Sequence, residues 1–201
     1  MVTSVSASSI GMGVQAHACR GDWDGVFDAA YVPRRGYWMK PCGFWTSSMR
    51  EDGTTGWQDF SENEPGLDLL YEPMASARLL VLETDRDLLA TMLAADLCGE
   101  SNTRDSAVAI VNASDAYSED KQTRRSSFCA QDSTRLLLKL THPENMNALW
   151  KWASGIYDAV HVPMYERYPA SILAAWDVES TTWFRPLECL TLMELSPIPH
   201  P

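Results

Sequence analysis

"KPCGFWTSSM", residues 40–49, sets two aromatic side chains beside a run of hydroxyls, behind a Pro and a Gly. Pro41 and Gly43 punctuate a turn, and "FWTS" has the aromatic and β-branched character of a strand. In an extended chain alternate side chains take opposite faces, so Phe44 and Thr46 share one face while Trp45 and Ser47 share the other. An indole next to a hydroxyl suits a flat ring with a hydrogen-bonding rim. The competing reading is an edge strand whose hydroxyls meet water. The flanking sequence has to separate the two.

Working outward, "VQAHACR" (14–20) reads as a short strand over 14–19 carrying His17. Asp22 caps a short helix over 23–30, which Pro33 helps to end. After the opening stretch, Trp57 and Phe60 stand three apart on one face of a short helix. "ARLLVLET" (77–84) is an unbroken apolar run, as expected of a central strand. "DRDLLATMLAADL" (85–97) is a helix capped by Thr84 or Asp85, with Leu88, Leu89, Met92, Leu93 and Leu97 on one stripe. The composition turns polar from Gly99 to about Arg135, which reads as an insertion with a strand at 107–111. "LLLKL" (136–140) reads as another strand. Pro143 opens a helix over 143–154. A strand lies within 157–163, and "AAWDVESTTWFRPLECLTLMEL" alternates like two strands parted at Pro186. Residues 1–13, rich in Ser and Gly, are expected to be flexible. Strands dominate the second half with helices at the flanks, so the expected class is α+β, one domain over 14–201.

Composition narrows the function classes. A chain of 201 residues, 45 % hydrophobic and 21 % charged, builds its core without disulfide or metal staples. Its net charge of −11 argues against phosphate-backbone binding, which needs clustered Lys and Arg. The five Cys (19, 42, 98, 129, 189) form no CxxC pair, as in reduced thiols of a cytoplasmic protein. No stretch reaches the ~20 apolar residues of a membrane span, and residues 1–13 lack the features of a signal peptide. Eight Trp suggest aromatic walls as well as core.

Among candidates for chemistry, "WDVESTTWF" (176–184) stands first. On a strand, Asp177 and Glu179 share a face with Thr181, and paired carboxylates beside aromatics are either solvated or given work. His17 and His161 each read more readily as structural histidines than as catalytic ones. Asp158 lies too close along the strand to orient His161. Cys42 has no local group to make it a nucleophile beyond Lys40 and Arg50. No phosphate loop, Walker sequence, dinucleotide fingerprint or metal-ligand spacing occurs.

The order of these pieces resembles the ADP-ribosyltransferase superfamily: a first-strand His, a short helix, a Gly-aromatic-hydroxyl strand, an aromatic helix and a late strand with a carboxylate. "KPCGFWTS", "WQDF" and "WDVESTTWF" also resemble a set of phage and actinobacterial proteins marked by KPxG[LF]WxS and WDxESTxWF. That likeness spans about 14–195, apart from 99–135. The superfamily resemblance implies a split β-sheet core with flanking helices and NAD as co-substrate, with no metal. It implies Glu179 and Asp177 as catalytic residues. His17 (or Arg20, if the register is off by a turn), Trp45, Thr46, Ser47 and Trp57 would hold the dinucleotide. Asp177 departs from the Glu or Gln the superfamily places there, and "HACR" departs from its HxT context. The implied partner is a macromolecular substrate, protein rather than nucleic acid. The alternative is a non-catalytic acidic protein, a phage or mobile-element factor, that engages a host protein.

Overall fold

The computed structural model describes residues 4–17, 41, 43–56, 69–112, 128–163, 172–176 and 179–193. Eight strands run in chain order as β1 (Ser4–Ser6), β2 (Gln15–His17), β3 (Phe44–Ser48), β4 (Leu69–Pro73), β5 (Arg78–Val81), β6 (Ala159–Val162), β7 (Ser180–Trp183) and β8 (Leu190–Leu192). Between them lie α1 (Asp85–Ala94), α2 (Ser101–Asn112), α3 (Phe128–Leu140), α4 (Pro143–Ser154) and the single turn α5 (Pro186–Cys189). The class is α+β, as the sequence leads one to expect.

The strands form one sheet in the order β1-β5-β6-β7-β3-β2-β4-β8, with only the β5–β6 pair parallel. Consecutive strands β4 and β5 stand five places apart in that order, yet only residues 74–77 join them. Five strand spacings across a flat sheet would cover ~24 Å, whereas that link reaches at most ~17 Å. The sheet therefore curls, bringing its two ends over one another. Packing agrees, because Leu79 of β5 and Leu190 of β8 belong to the same apolar cluster.

Alternation along the central strands separates two cores. Leu80, Val160 and Val162 face the helices, where they meet Leu88, Leu89 and Met92 of α1, Leu137 of α3 and Leu149 of α4. Leu79, Ala159 and Trp183 face into the curl, against Ala7, Phe44 and Cys189. Leu79 and Leu80 are both fully buried, as expected from the unbroken apolar run, although β5 stands second from one end of the strand order and not at its centre. Thr84 and Asp87 close a reciprocal capping box at the start of α1.

Several local expectations are corrected. Residues 107–111 are helical within α2, because Ala107, Ile110 and Val111 fall at helical spacing and pack on the helical core. "LLLKL" ends α3, with Leu137 and Leu140 buried three apart and Leu138 exposed between them. Both runs have strand-like composition, and packing against neighbouring helices overrides it. At the start of the chain, Ser4–Ser6 pair in register with Arg78–Leu80 and Ala7 is buried, so the expected flexibility does not hold for these residues. His17 accordingly lies on the second strand. The helix over 143–154 forms as expected, with Pro143 in its first turn. The helix expected over 23–30 and the Trp57–Phe60 pair lie outside the described residues.

Candidate functional site

Strands β2, which carries His17, β3, which carries Trp45, Thr46 and Ser47, and β7, which Glu179 immediately precedes, lie side by side. Gln15 is opposite Ser48, and Thr46 is opposite Thr181. Glu179 immediately precedes β7, which sets its carboxylate against the end of β3. The Ser47 hydroxyl donates to Glu179 Oε2 at 2.9 Å and also contacts its carbonyl oxygen at 3.0 Å. The Ser48 amide donates to Oε2 at 2.8 Å, and the Ser48 hydroxyl donates to Oε1 at 2.9 Å. The Glu179 side chain is 13 % exposed and that of His161 is 10 % exposed, with His161 Nδ1 lying 3.5 Å from Oε1. A carboxylate only accepts, so the Ser47 hydroxyl and the Ser48 amide and hydroxyl all act as donors to it.

Behind Ser48 runs a buried chain of hydrogen bonds whose direction is fixed at both ends. The Trp183 indole can only donate, and it does so to Thr46 Oγ1 at 2.9 Å. Thr46 passes its own proton to Gln15 Oε1 at 2.8 Å. The Gln15 amide nitrogen donates to Ser48 Oγ at 2.9 Å, and Ser48 donates onward to Glu179. Gln15, Thr46 and Trp183 are all buried. Each hydroxyl rotor in this chain therefore has one orientation, which holds the Ser48 proton on the carboxylate.

On the other side of Glu179, His161 of β6 is directly opposite Thr181, and its Nδ1 lies 2.9 Å from the Thr181 hydroxyl. Burial pushes the imidazole below its ordinary value, and the Glu179 charge partly opposes that shift. Asp158, near His161 in sequence, is turned away from it. Its carboxylate takes the Arg78 amide at 2.7 Å and pairs with Arg185 at 2.8 Å.

Of the residues expected at the site, Ser47 and Glu179 meet. Thr46 does not open onto the carboxylate, being 1 % exposed and engaged with Gln15 and Trp183. Trp45 packs on Trp176 with ring centroids 5.1 Å apart, on the helix-facing side. His17 donates from Nδ1 to the Trp45 carbonyl, and its ring lies 4.1 Å from that of Phe44. It shares the neighbourhood through strand order and makes no hydrogen bond to Glu179. Arg20, Trp57 and Asp177 lie outside the described residues. Sequence reasoning passes over Ser48, Gln15 and the role of His161. Only Ser48 has a local signal, as the second Ser of "TSS"; the other two depend on register between distant strands. Among the described residues no group of three or more His, Cys, Asp or Glu is placed to hold a metal, and no helix is long and apolar enough to cross a membrane. Comparison with protein-family models, curated proteins and solved structures gives no match.

Proposed function

We propose that this chain is an ADP-ribosyltransferase-like enzyme that breaks the N-glycosidic bond of NAD, passing ADP-ribose to a macromolecular acceptor, preferably a protein, or to water. The observation that carries this reading is the grip of Ser47 and Ser48 on Glu179 across adjacent strands. Loss of nicotinamide leaves an oxocarbenium-like ribose. A carboxylate already oriented by fixed donors stabilises such a cation without reorganising. The proximity of the His17 strand to the same sheet region supports the reading, and the net charge of −11 favours a protein acceptor over nucleic acid.

One observation favours the second reading, a non-catalytic acidic protein that binds a host protein. The Glu179 carboxylate is largely covered, and protein groups already use its acceptors. A polar cluster satisfied from within also serves simply to fix strand register.

Nicotinamide release and thermal unfolding with NAD decide between them. An NAD-using enzyme releases nicotinamide, and NAD at 100 times its Kd stabilises it by about 2.7 kcal/mol. Glu179→Gln lowers the rate by about 10²–10³, the size typical of losing one preorganised electrostatic group. Absence of both nicotinamide release and a thermal shift, with a stable protein partner recovered, establishes the second reading instead.

A further inference from the structure

His161 is the one imidazole set beside the Glu179 carboxylate among the described residues, and its two ring nitrogens have different surroundings. Nδ1 faces the Thr181 hydroxyl at 2.9 Å and Glu179 Oε1 at 3.5 Å. Nε2 has no hydrogen-bond partner among the described residues. The solvent-excluded side-chain atoms left without a partner there are Trp150 Nε1, Thr182 Oγ1 and Arg185 Nε. His161 Nε2 is not one of them, and a tenth of the His161 side chain is exposed.

This arrangement has the logic of an oriented base. The Thr181 hydroxyl can meet either tautomer, but the Glu179 carboxylate beside it only accepts and so favours the proton on Nδ1, which leaves Nε2 with its lone pair. A base whose far nitrogen is held by an acid, and whose near nitrogen is open, is the general pattern for activating a nucleophile. We propose that His161 is the general base of the reaction: Glu179 and Thr181 hold its Nδ1, and Nε2 takes the proton from the acceptor hydroxyl, amine or water. This inference rests on the NAD-cleaving reading. In the step, the C1′–nicotinamide bond breaks and its electron pair leaves with the neutral nicotinamide ring. The acceptor oxygen or nitrogen bonds to C1′, and its proton moves to Nε2 and then to solvent.

The groups around His161 keep the assignment simple. Strand β7 presents the neutral Thr181, Glu179 stands just before that strand, and β5 presents Val81 directly opposite. Asp158, Arg78 and Arg185 form their own cluster. Glu179 is the charged group that acts on the imidazole, and burial keeps the ring neutral, the form a base requires.

The test combines two readouts on the full chain. Long-range nitrogen–proton NMR of histidine-labelled protein at neutral pH is expected to show His161 as the Nδ1–H form. The rate of NAD cleavage with water as acceptor is expected to fall on the acidic side with a single ionisation. That limb should vanish in His161→Gln, whose rate is lower by about 10²- to 10⁴-fold and recovers in part with added imidazole. An Nε2–H ring, or an unchanged acidic limb in His161→Gln, overturns the base while leaving wild-type NAD cleavage intact. Absence of NAD cleavage by the wild type at every pH overturns the underlying reading, and the base role with it. Should His161→Gln fail to fold, the NMR form of the wild-type ring decides.

Discussion

Among the described residues, Asp85 and Glu179 are both carboxylates held largely away from solvent, and they have different neighbours. Asp85, 8 % exposed, opens α1 and accepts the amides of Ile172 and Leu173 and the Thr134 hydroxyl. It ties three parts of the helical layer together: the start of α1, the body of α3 and the short 3-10 turn Ile172–Trp176. Glu179 likewise accepts a backbone amide and hydroxyls, but from a neighbouring strand, and an imidazole whose Nε2 has no hydrogen-bond partner among the described residues stands beside it. Burial with good donors is thus common to a latch and to a candidate catalytic centre. The adjoining titratable group and its access to solvent separate them.

Removing each acid in turn is the strongest way to break the comparison. Glu179→Gln keeps the size of the side chain but replaces one acceptor with a donor, so it is expected to cost about 1–2 kcal/mol of stability while nicotinamide release drops by the larger factor of about 10²–10³. Asp85→Ala is expected to do the opposite. It strands three donors and lowers stability by about 3 kcal/mol, seen as a fall in melting temperature of roughly 6–12 °C. Its turnover per folded molecule stays at the wild-type level. If both variants lost stability and neither lost turnover, Glu179 would be a second latch.

The pH response sharpens the contrast next. Burial, partly opposed by Glu179, pushes His161 below the ordinary imidazole value of 6.5. The unfolded chain therefore binds a proton that the folded chain refuses in the window just below that value, and stability falls as pH drops through it. Each unit of pH costs at most about 1.4 kcal/mol from this one group. Denaturation midpoints at pH 7.5, 6.5 and 5.5 should show a slope that flattens in His161→Gln and persists in Asp85→Ala. The smallest effect is expected at Gln15→Leu, which leaves the Thr46 and Ser48 hydroxyls without their link. A loss of about 1–2 kcal/mol, with a fall in turnover well short of that from Glu179→Gln, would mark Gln15 as a positioning residue. Unchanged turnover would confine the buried chain to holding the sheet.

Much of this was legible from residue order. The stripe of Leu88, Leu89 and Met92, the cap at Thr84 and the Pro that opens α4 are signals read within one turn of helix. Glu179 and Ser47 were visible because a carboxylate next to aromatics, and hydroxyls next to an indole, are unusual locally. The runs "AVAIV" and "LLLKL" misled for the same local reason, since their composition suits strands and only packing against other helices makes them helical.

Residue order alone therefore settled the mixed class, the strand buried on both faces and the pair Ser47 and Glu179 as candidates, because side-chain period and chemical type are encoded between near neighbours. The curl of the sheet, the chain from Trp183 to Ser48 and the placing of His161 against Glu179 were decided by the tertiary structure. Each joins residues from separate strands: Gln15 stands opposite Ser48, and His161 opposite Thr181. Strand register is set by the sum of packing on both faces of the sheet, a quantity that no single segment contains.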